Sequence, residues 1–183
     1  DYPKLLDINT EDLGFEVLHL IEFADKALAE GKLKLTKPVD MRFTYHDACS
    51  VSRLCDPWKA YKGERGWMGM IFPGLRRRRG RHGLYAQSRN LLNAIPGAEF
   101  VESIRIRENT FCCGGGRGAK EAFPDFAKFA ANHKMEEVKA VGAEVVVSAC
   151  PWCKSSLNQA AKEDGGNVKA MDIAELIAAS VEI

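Results

Sequence analysis

The feature that most constrains this chain is a pair of adjacent cysteines, Cys112 and Cys113, followed directly by three glycines. Neighbouring side chains of an extended strand point to opposite faces, so both thiols reach one site only where the backbone turns. Glycine permits the positive φ of such a turn and leaves its N–H group free to donate to sulfur. The glycines are Gly114, Gly115 and Gly116. The stretch therefore predicts two sulfurs directed at one centre.

A second cysteine pair stands in the run Cys150-Pro-Trp-Cys153, after the apolar run 143–149 and before a helical pattern. Pro151 suits the first helical turn, where no backbone N–H is needed. The N–H groups at a helix N-terminus favour thiolates and lower the pKa of cysteines placed there. The spacing therefore predicts two further sulfurs that converge at a strand–helix junction.

Hydrophobic periodicity predicts alternating strands and helices along the chain. The predicted strands lie at about 41–49, 98–106, 143–149 and 167–172. The predicted helices lie at about 15–30, 84–95, 123–142, 154–165 and 173–181. This order is typical of an α/β fold with a mainly parallel sheet flanked by helices. Such sheets place their sites at the carboxyl ends of the strands, which is where we expect the cysteine site.

The amino-acid composition indicates the broad class of protein. The chain has 183 residues, a net charge of +1 and 46% hydrophobic residues, an ordinary globular composition without the charge of a nucleic-acid-binding protein. No apolar run approaches the ~18–20 residues of a membrane-spanning helix, and no secretory signal peptide is evident. We therefore expect a cytoplasmic protein whose six clustered cysteines serve metal binding or redox chemistry rather than disulfides.

The residues alone leave several types of site open. Glycine N–H groups that donate to sulfur would tune the potential of an iron–sulfur centre, which favours that interpretation. Zinc is an alternative, because C-x-x-C is a common half-site and four thiolates could close a tetrahedral shell, although zinc gains nothing from adjacent cysteines. A thioredoxin-type dithiol is disfavoured, because that fold needs a later proline and none follows Pro151.

Three ordered motifs resemble the cysteine-rich CCG domain: YHDAC at 45–49, CCGGG at 112–116 and ACPWC at 149–153. That domain occurs in the B and D subunits of heterodisulfide reductase, in the iron–sulfur subunits of glycolate oxidase and anaerobic glycerol-3-phosphate dehydrogenase, and in a membrane complex of dissimilatory sulfite reduction. The resemblance runs from about Phe15 to the C-terminus. It implies an iron–sulfur redox subunit that carries electrons from partner clusters or flavin to a disulfide or another acceptor.

The resemblance also implies a cofactor and its ligands. Five cysteines of one CCG copy can hold a noncubane assembly of two fused 4Fe–4S units, and some copies hold zinc instead. By position the ligands would be Cys49, Cys112, Cys113, Cys150 and Cys153. The implied partners are ferredoxin-type or flavin-containing subunits of a larger complex. Through such a partner the chain could lie at the cytoplasmic face of a membrane.

Two departures from the family pattern bear on domain organisation. Sixty-two residues separate the first cysteine of the set from the adjacent pair, so the segment at about 56–83 is interpreted as an insertion. One copy of a normally duplicated domain is visible and the chain begins at Asp1, so we expect a portion of a longer subunit, or a subunit paired with a partner. Residues 1–40 are predicted to be a helical lead-in, and residues 41–183 the CCG domain.

Several other residues have weaker assignments. Cys55 has no place in the five-cysteine set and is interpreted as a buried or free thiol, with replacement of Cys49 as the alternative. His46 is a candidate donor near the cluster or an acid on the substrate side, although a histidine hydrogen-bonded within its loop explains it as well. Trp152 is expected to pack over the site and limit solvent.

The strongest local charge feature is a run of four arginines at 76–79, followed by Arg81 and His82. A solvated loop is the simplest interpretation. Docking onto an acidic partner subunit, or onto an anionic ligand that carries CoA or phosphate, is the alternative. One basic patch in a nearly neutral protein does not indicate nucleic-acid binding. His19 and His133 receive no role.

Overall fold

The computed structural model describes residues 14–56, 64–69, 71–72, 80–116 and 118–182. The strands are β1 (Met41–His46), β2 (Glu64–Arg65), β3 (Ile71–Phe72), β4 (Ala98–Val101), β5 (Val145–Ser148) and β6 (Lys169–Asp172). An all-parallel sheet with the spatial order β4-β1-β5-β6 forms the centre of the fold, and β2 pairs antiparallel with β3. The predicted α/β fold with a mainly parallel sheet is confirmed.

Six α-helices lie within the described part of the chain. They are α1 (Leu20–Ala29), α2 (Tyr85–Asn93), α3 (Ala119–Ala122), α4 (Pro124–Ala140), α5 (Pro151–Glu163) and α6 (Ile173–Ser180). Helix α1 packs against α2, and α4 packs against α5. A 3-10 turn at Arg107–Asn109 precedes the adjacent cysteines. Among the described helices, none is long and apolar enough to cross a membrane.

The middle strands β1 and β5 form the core, because each has a neighbouring strand on both sides. Phe43 and Tyr45 of β1 are buried, as are all three valines at 145–147 of β5. Continuous apolar runs of this kind are typical of parallel strands covered on both faces. Phe43 also stacks on Phe100 of β4, with ring centroids 5.4 Å apart. This packed centre fixes where β1 and β5 end, and cysteine-bearing segments begin at those ends.

The first helix begins at Leu20 rather than near residue 15, so the predicted boundary is wrong. His19 caps the helix: its Nδ1 accepts the N–H of Ile21 at 3.2 Å, and Glu22 accepts the N–H of His19 at 2.8 Å. Histidine is not among the usual N-cap residues. The helical periodicity that continues before His19 therefore concealed the start of the helix.

The strand predicted at 98–106 ends at Val101, which is a second wrong boundary. Its next residue, Glu102, pairs with Arg89 of α2, with Oε1 2.9 Å from Nε. β4 is also an edge strand with β1 as its single neighbour in the described sheet. The alternation of apolar and polar residues therefore continues past the point where the chain leaves the sheet.

The segment interpreted as an insertion is closed at its base by Asp56. The Asp56 carboxylate accepts the backbone N–H groups of Gly80 at 2.8 Å and His82 at 3.0 Å. Between these points β2 and β3 form a short hairpin where the sequence predicted irregular structure. The arginines at 76–79 lie outside the described residues, and the assigned docking role stays a prediction. The boundary near residue 40 stays a prediction as well.

We expect the His19 cap to make the free energy of unfolding depend on pH. Burial lowers the pKa of His19, against the opposing charges of Glu22 and Asp172. The cap needs a neutral ring, because Nδ1 accepts the Ile21 N–H. The imidazole of His19 therefore binds a proton more readily in the unfolded chain than in the folded one. The contribution of the cap to the free energy of unfolding is complete above about pH 6.5 and is lost as the pH falls below it.

The control is His19→Asn, which keeps a cap acceptor but does not titrate. Urea unfolding should show that the wild type loses about 1 kcal/mol more than His19→Asn when the pH falls from about 7.5 to about 5.5. Equal losses in the two proteins would show that the cap does not carry the pH dependence.

Candidate metal centre

Three segments meet at the carboxyl edge of the parallel sheet. Cys49 stands in the turn after β1, Cys112 and Cys113 in the loop between β4 and α3, and Cys150 and Cys153 at the start of α5. No disulfide joins any of the chain's six cysteines. Because parallel strands end at the same edge, the sheet topology brings together cysteines that are far apart in the sequence.

The buried centre of the site consists of Cys113, Cys153 and His46. The two Sγ atoms are 3.1 Å apart, and a ring nitrogen of His46 lies within 4.8 Å of both. His46 Nδ1 has no hydrogen-bond partner among the described residues. Leaving a buried polar atom without a partner costs free energy. Two sulfurs with an imidazole nitrogen close by form an arrangement typical of a ligand site.

Cys150 is the N-cap residue of α5. A hydrogen bond from the Cys153 thiol and the backbone N–H groups of Cys153 and Trp152 lower the pKa of Cys150 to about 6. The helix N-terminus directs these N–H groups at the sulfur, and Pro151 at the first helical position leaves that arrangement intact. The lowered pKa favours the thiolate form of Cys150, the form that binds metals.

The other thiols of the site share protons with one another. Hydrogen bonds with Cys112 and Cys153 lower the pKa of Cys113, and His46 acts in the same direction. Hydrogen bonds with neighbouring sulfurs raise the pKa values of Cys112 and Cys153. The charge of Cys49 also contributes to the raised pKa of Cys112. Hydrogen bonds thus connect four of the thiols, and Cys49 acts on this group through its charge.

The adjacent cysteines can face one site because Gly114 turns the chain. Gly114 has a φ of +71°, and its N–H donates to Cys112 Sγ at 3.4 Å. A Cβ on Gly114 would lie 2.8 Å from the Cα of Ala127 on α4, and one on Gly115 would lie 2.7 Å from a side chain of α5. A Cβ on Gly116 would meet nothing within 4 Å. Close backbone approach therefore requires the first two glycines but not the third.

Ser156 bonds to a site cysteine and Asp47 bonds to groups beside the site, although no pattern assigned either residue a role. The Ser156 hydroxyl donates to the carbonyl oxygen of Cys113 at 2.7 Å. Asp47 accepts two hydrogen bonds from Arg89 in a buried ion pair. Asp47 lies inside the YHDAC motif, and this position could have indicated a role at the site. Ser156 lies three residues after Cys153, on the same helix face.

The remaining predicted site residues lie around this centre. Trp152 is 58% exposed, and its shielding of the site stays a prediction. The Cys55 thiol donates to the carbonyl oxygen of Ser50 at 3.4 Å. His133, which received no role, packs against Phe111 with ring centroids 4.5 Å apart, beside the adjacent cysteines.

The donor set fits a metal that prefers sulfur. Thiolates select zinc and iron–sulfur clusters, whereas magnesium and calcium prefer oxygen ligands. Among the described residues the buried cations Arg89 and Lys134 each pair with carboxylates, at 2.6 Å to Asp47 and 2.9 Å to Glu137. These cations therefore do not compensate the thiolates, and a bound metal would supply the positive charge.

Residues 75–158 match the model of the cysteine-rich domain designated CCG. The matched range contains both cysteine pairs, whereas Cys49 and His46 lie before it. The sequence resemblance to this family is therefore confirmed by an independent comparison.

Several curated relatives match nearly the whole chain. The D subunit of the dihydromethanophenazine:CoB–CoM heterodisulfide reductase of Methanosarcina acetivorans is 32% identical over 179 residues, which is 97% of this chain and 36% of the relative. The B subunit of the fumarate reductase (CoM/CoB) of Methanothermobacter marburgensis is 30% identical, over 97% of this chain and 28% of the relative. The EtfAB:quinone oxidoreductase of Syntrophomonas wolfei is 28% identical, over 92% of this chain and 21% of the relative. The chain thus spans about a third of these relatives or less.

Gly114→Ala should destabilise the protein and disrupt the site, because the new Cβ would overlap the backbone of α4 at a positive φ. Overpacking and the unfavourable φ together cost about 2–4 kcal/mol. Gly116→Ala is the matched control, because its Cβ has open space, and it should cost less than about 1 kcal/mol. Urea unfolding of the two variants measures the difference. Similar stabilities would show that close backbone approach at Gly114 does not govern this loop.

Proposed function

We propose that the chain is an iron–sulfur redox subunit, because its residues 75–158 match the cysteine-rich domain designated CCG. A cluster bound by Cys49, Cys112, Cys113, Cys150 and Cys153 would pass electrons through the subunit. The observation that carries this proposal is the contact of Cys113 and Cys153 at 3.1 Å, at the sheet edge where the segments that carry all five cysteines meet. Adjacent cysteines suit a cofactor with several metal ions better than a single ion.

The relatives support a role in electron transfer. They are named as a heterodisulfide reductase subunit, a fumarate reductase subunit and a quinone oxidoreductase, which share redox chemistry but not a substrate. We propose that electrons reach this chain from the clusters or flavin of partner subunits and leave to a disulfide or another acceptor. Reduction of a disulfide takes two electrons and two protons and yields two thiols.

The cluster would supply one-electron redox chemistry, and the residues of the chain would set its environment. The Gly114 N–H, which donates to Cys112 Sγ, would stabilise negative charge on that sulfur. Ser156 holds the carbonyl of Cys113 and thereby orients the adjacent pair. At the buried side of the site, His46 would donate a hydrogen bond or a proton, because one of its ring nitrogens lies within 4.8 Å of the sulfurs of Cys113 and Cys153.

Exposed aromatic residues beside the site support the proposal of partner subunits. Phe126 and Phe129 of α4 are both 64% exposed, and their spacing of three residues places them on one helix face. Phe129 stacks on His133, which in turn packs on Phe111, the residue before Cys112. Contiguous exposed apolar surface of this kind often marks a site of protein association. A partner seated there would lie next to the exposed Cys112 thiol.

Zinc is the second candidate, and a specific observation favours it. His46, Cys113 and Cys153 supply one imidazole and two thiolates whose ligand atoms lie within 4.8 Å of one another. A fourth thiolate would complete the tetrahedral shell of a structural zinc site. In that case the chain would be a structural or assembly domain that docks a partner.

Metal analysis of anaerobically purified protein separates the two candidates. We expect several irons with matching acid-labile sulfide per chain, together with a paramagnetic signal after oxidation. About one zinc per chain without visible absorbance would support the structural role instead. A preparation with no iron under these conditions would end the redox proposal.

Cys113→Ser should weaken retention of iron by at least about tenfold, because even residues that support the ligands typically contribute that much. Cys55→Ser is the matched control and should retain iron and sulfide at the wild-type level. Iron and sulfide are quantified per folded chain after gel filtration. The opposite pattern would show that Cys55, not Cys113, belongs to the ligand set.

A further inference from the structure

Asp47 connects the two segments that carry Cys49 and Cys112. Its side chain is 2% exposed, and its two oxygens accept Nη1 and Nη2 of Arg89 at 2.6 and 2.9 Å. Oδ2 also accepts the backbone N–H of Arg107 at 2.6 Å. Asp47 stands two residues before Cys49, and Arg107 stands five residues before Cys112. One buried carboxylate therefore binds both segments.

Arg89 anchors this carboxylate to the core from α2. Its Nε and Nη2 donate to Glu102, just beyond β4, at 2.9 and 3.0 Å. Its guanidinium carbon lies 5.4 Å from the ring centroid of Tyr45. A planar guanidinium presents its donors in a fixed fork, so two carboxylates and an aromatic face together fix its orientation. Asp47 is thereby held at one position relative to β1.

The turn at Arg107 bonds to the same carboxylate. Arg107 has a φ of +56°, a conformation uncommon for residues other than glycine. The chain then forms the 3-10 turn Arg107–Asn109 and reaches the adjacent cysteines. Two backbone hydrogen bonds close the turn, from the N–H of Asn109 to the carbonyl of Ile106 and from the N–H of Thr110 to that of Arg107. The N–H bond of Arg107 to Asp47 is what ties this turn to the segment after β1. A buried ion pair rarely adds net stability, so a positioning role accounts better for its presence.

We propose that the Asp47–Arg89 pair is a positioning device that fixes the separation between the Cys49 turn and the loop of Cys112 and Cys113. The inference rests on the proposed metal-binding function for its purpose. The device itself acts in the protein without metal, because all its contacts are between protein groups. Without the Asp47 carboxylate, Arg107 loses its acceptor and the loop of Cys112 is released from β1. The pair of Cys113 and Cys153 is held separately by α5.

The test uses the full chain, freed of metal by a chelator under reducing conditions. Dibromobimane links thiols that lie close together, and mass spectrometry of the digested protein identifies each linked pair. Asp47→Ala should reduce the yield of the Cys49–Cys112 link about fivefold relative to the wild type, the factor that corresponds to a loss of about 1 kcal/mol. The Cys113–Cys153 link should be unchanged.

Two further variants make the outcome decisive. Arg89→Lys keeps the positive charge but cannot bind both carboxylates as a fork, so it should fold and lower the Cys49–Cys112 yield about threefold. Leu176→Ala is the control, because Leu176 is fully buried on α6, which packs against β5 and β6. It should leave both links unchanged while lowering stability to urea. An unchanged Cys49–Cys112 yield in folded Arg89→Lys, or an equal loss in Leu176→Ala, would overturn the proposal.

A parallel measurement on iron-loaded protein distinguishes failure of this proposal from failure of the proposed redox function. In anaerobically reconstituted protein, Arg89→Lys should shift the midpoint potential or alter the paramagnetic spectrum at wild-type iron content. A loss of stability alone would change neither property. If the wild type holds no iron, the redox proposal fails, whereas the cross-linking result still decides whether Asp47 and Arg89 position the cysteines.

Discussion

The close approach of a glycine backbone to two helices is the constraint on which the site depends. Cys113 contacts Cys153 because the chain after it passes the backbone of α4 at Gly114 and a side chain of α5 at Gly115. Ser156 then fixes the carbonyl of Cys113. Since α4 and α5 pack on each other, the close-packed core sets the position of the adjacent cysteines. A flexible loop without this support would leave the two sulfur atoms free to separate.

The negative charges of the thiolates impose a second constraint on the site. Cys113 and Cys150 have lowered pKa values, whereas the thiols hydrogen-bonded to them have raised values. Each thiolate thus makes the next one harder to form, as the charge of Cys49 does for Cys112. Full ionisation of the group requires a cation at its centre, and metal binding would therefore release protons. The protein supplies the sulfurs, and a bound cofactor would compensate their negative charge.

The sequence predicted the fold class, because the apolar strands and amphipathic helices alternate clearly and parallel strands share one edge. It named His46 as a candidate donor near the cluster but could not give its position beside Cys113 and Cys153, since this depends on the register that sets His46 beside Ser148 of β5. The Asp47–Arg89 pair was equally hidden, because its partners are 42 residues apart and charged residues are common on helix surfaces. Periodicity reports which face of an element is buried, whereas these contacts depend on how the elements are placed in three dimensions.

The unequal exposure of the five cysteines bears on how a cluster would work here. Cys113 and Cys153 are buried against the core, whereas Cys112 is exposed beside the aromatic residues of α4. A single zinc ion at the buried side would leave Cys112 and Cys49 without a function. A cofactor with several irons would supply one-electron chemistry, and all five cysteines could hold it. In the proposed function the exposed Cys112 would then be the ligand nearest a partner subunit, and His46 would lie at the buried side, within 4.8 Å of the sulfurs of Cys113 and Cys153.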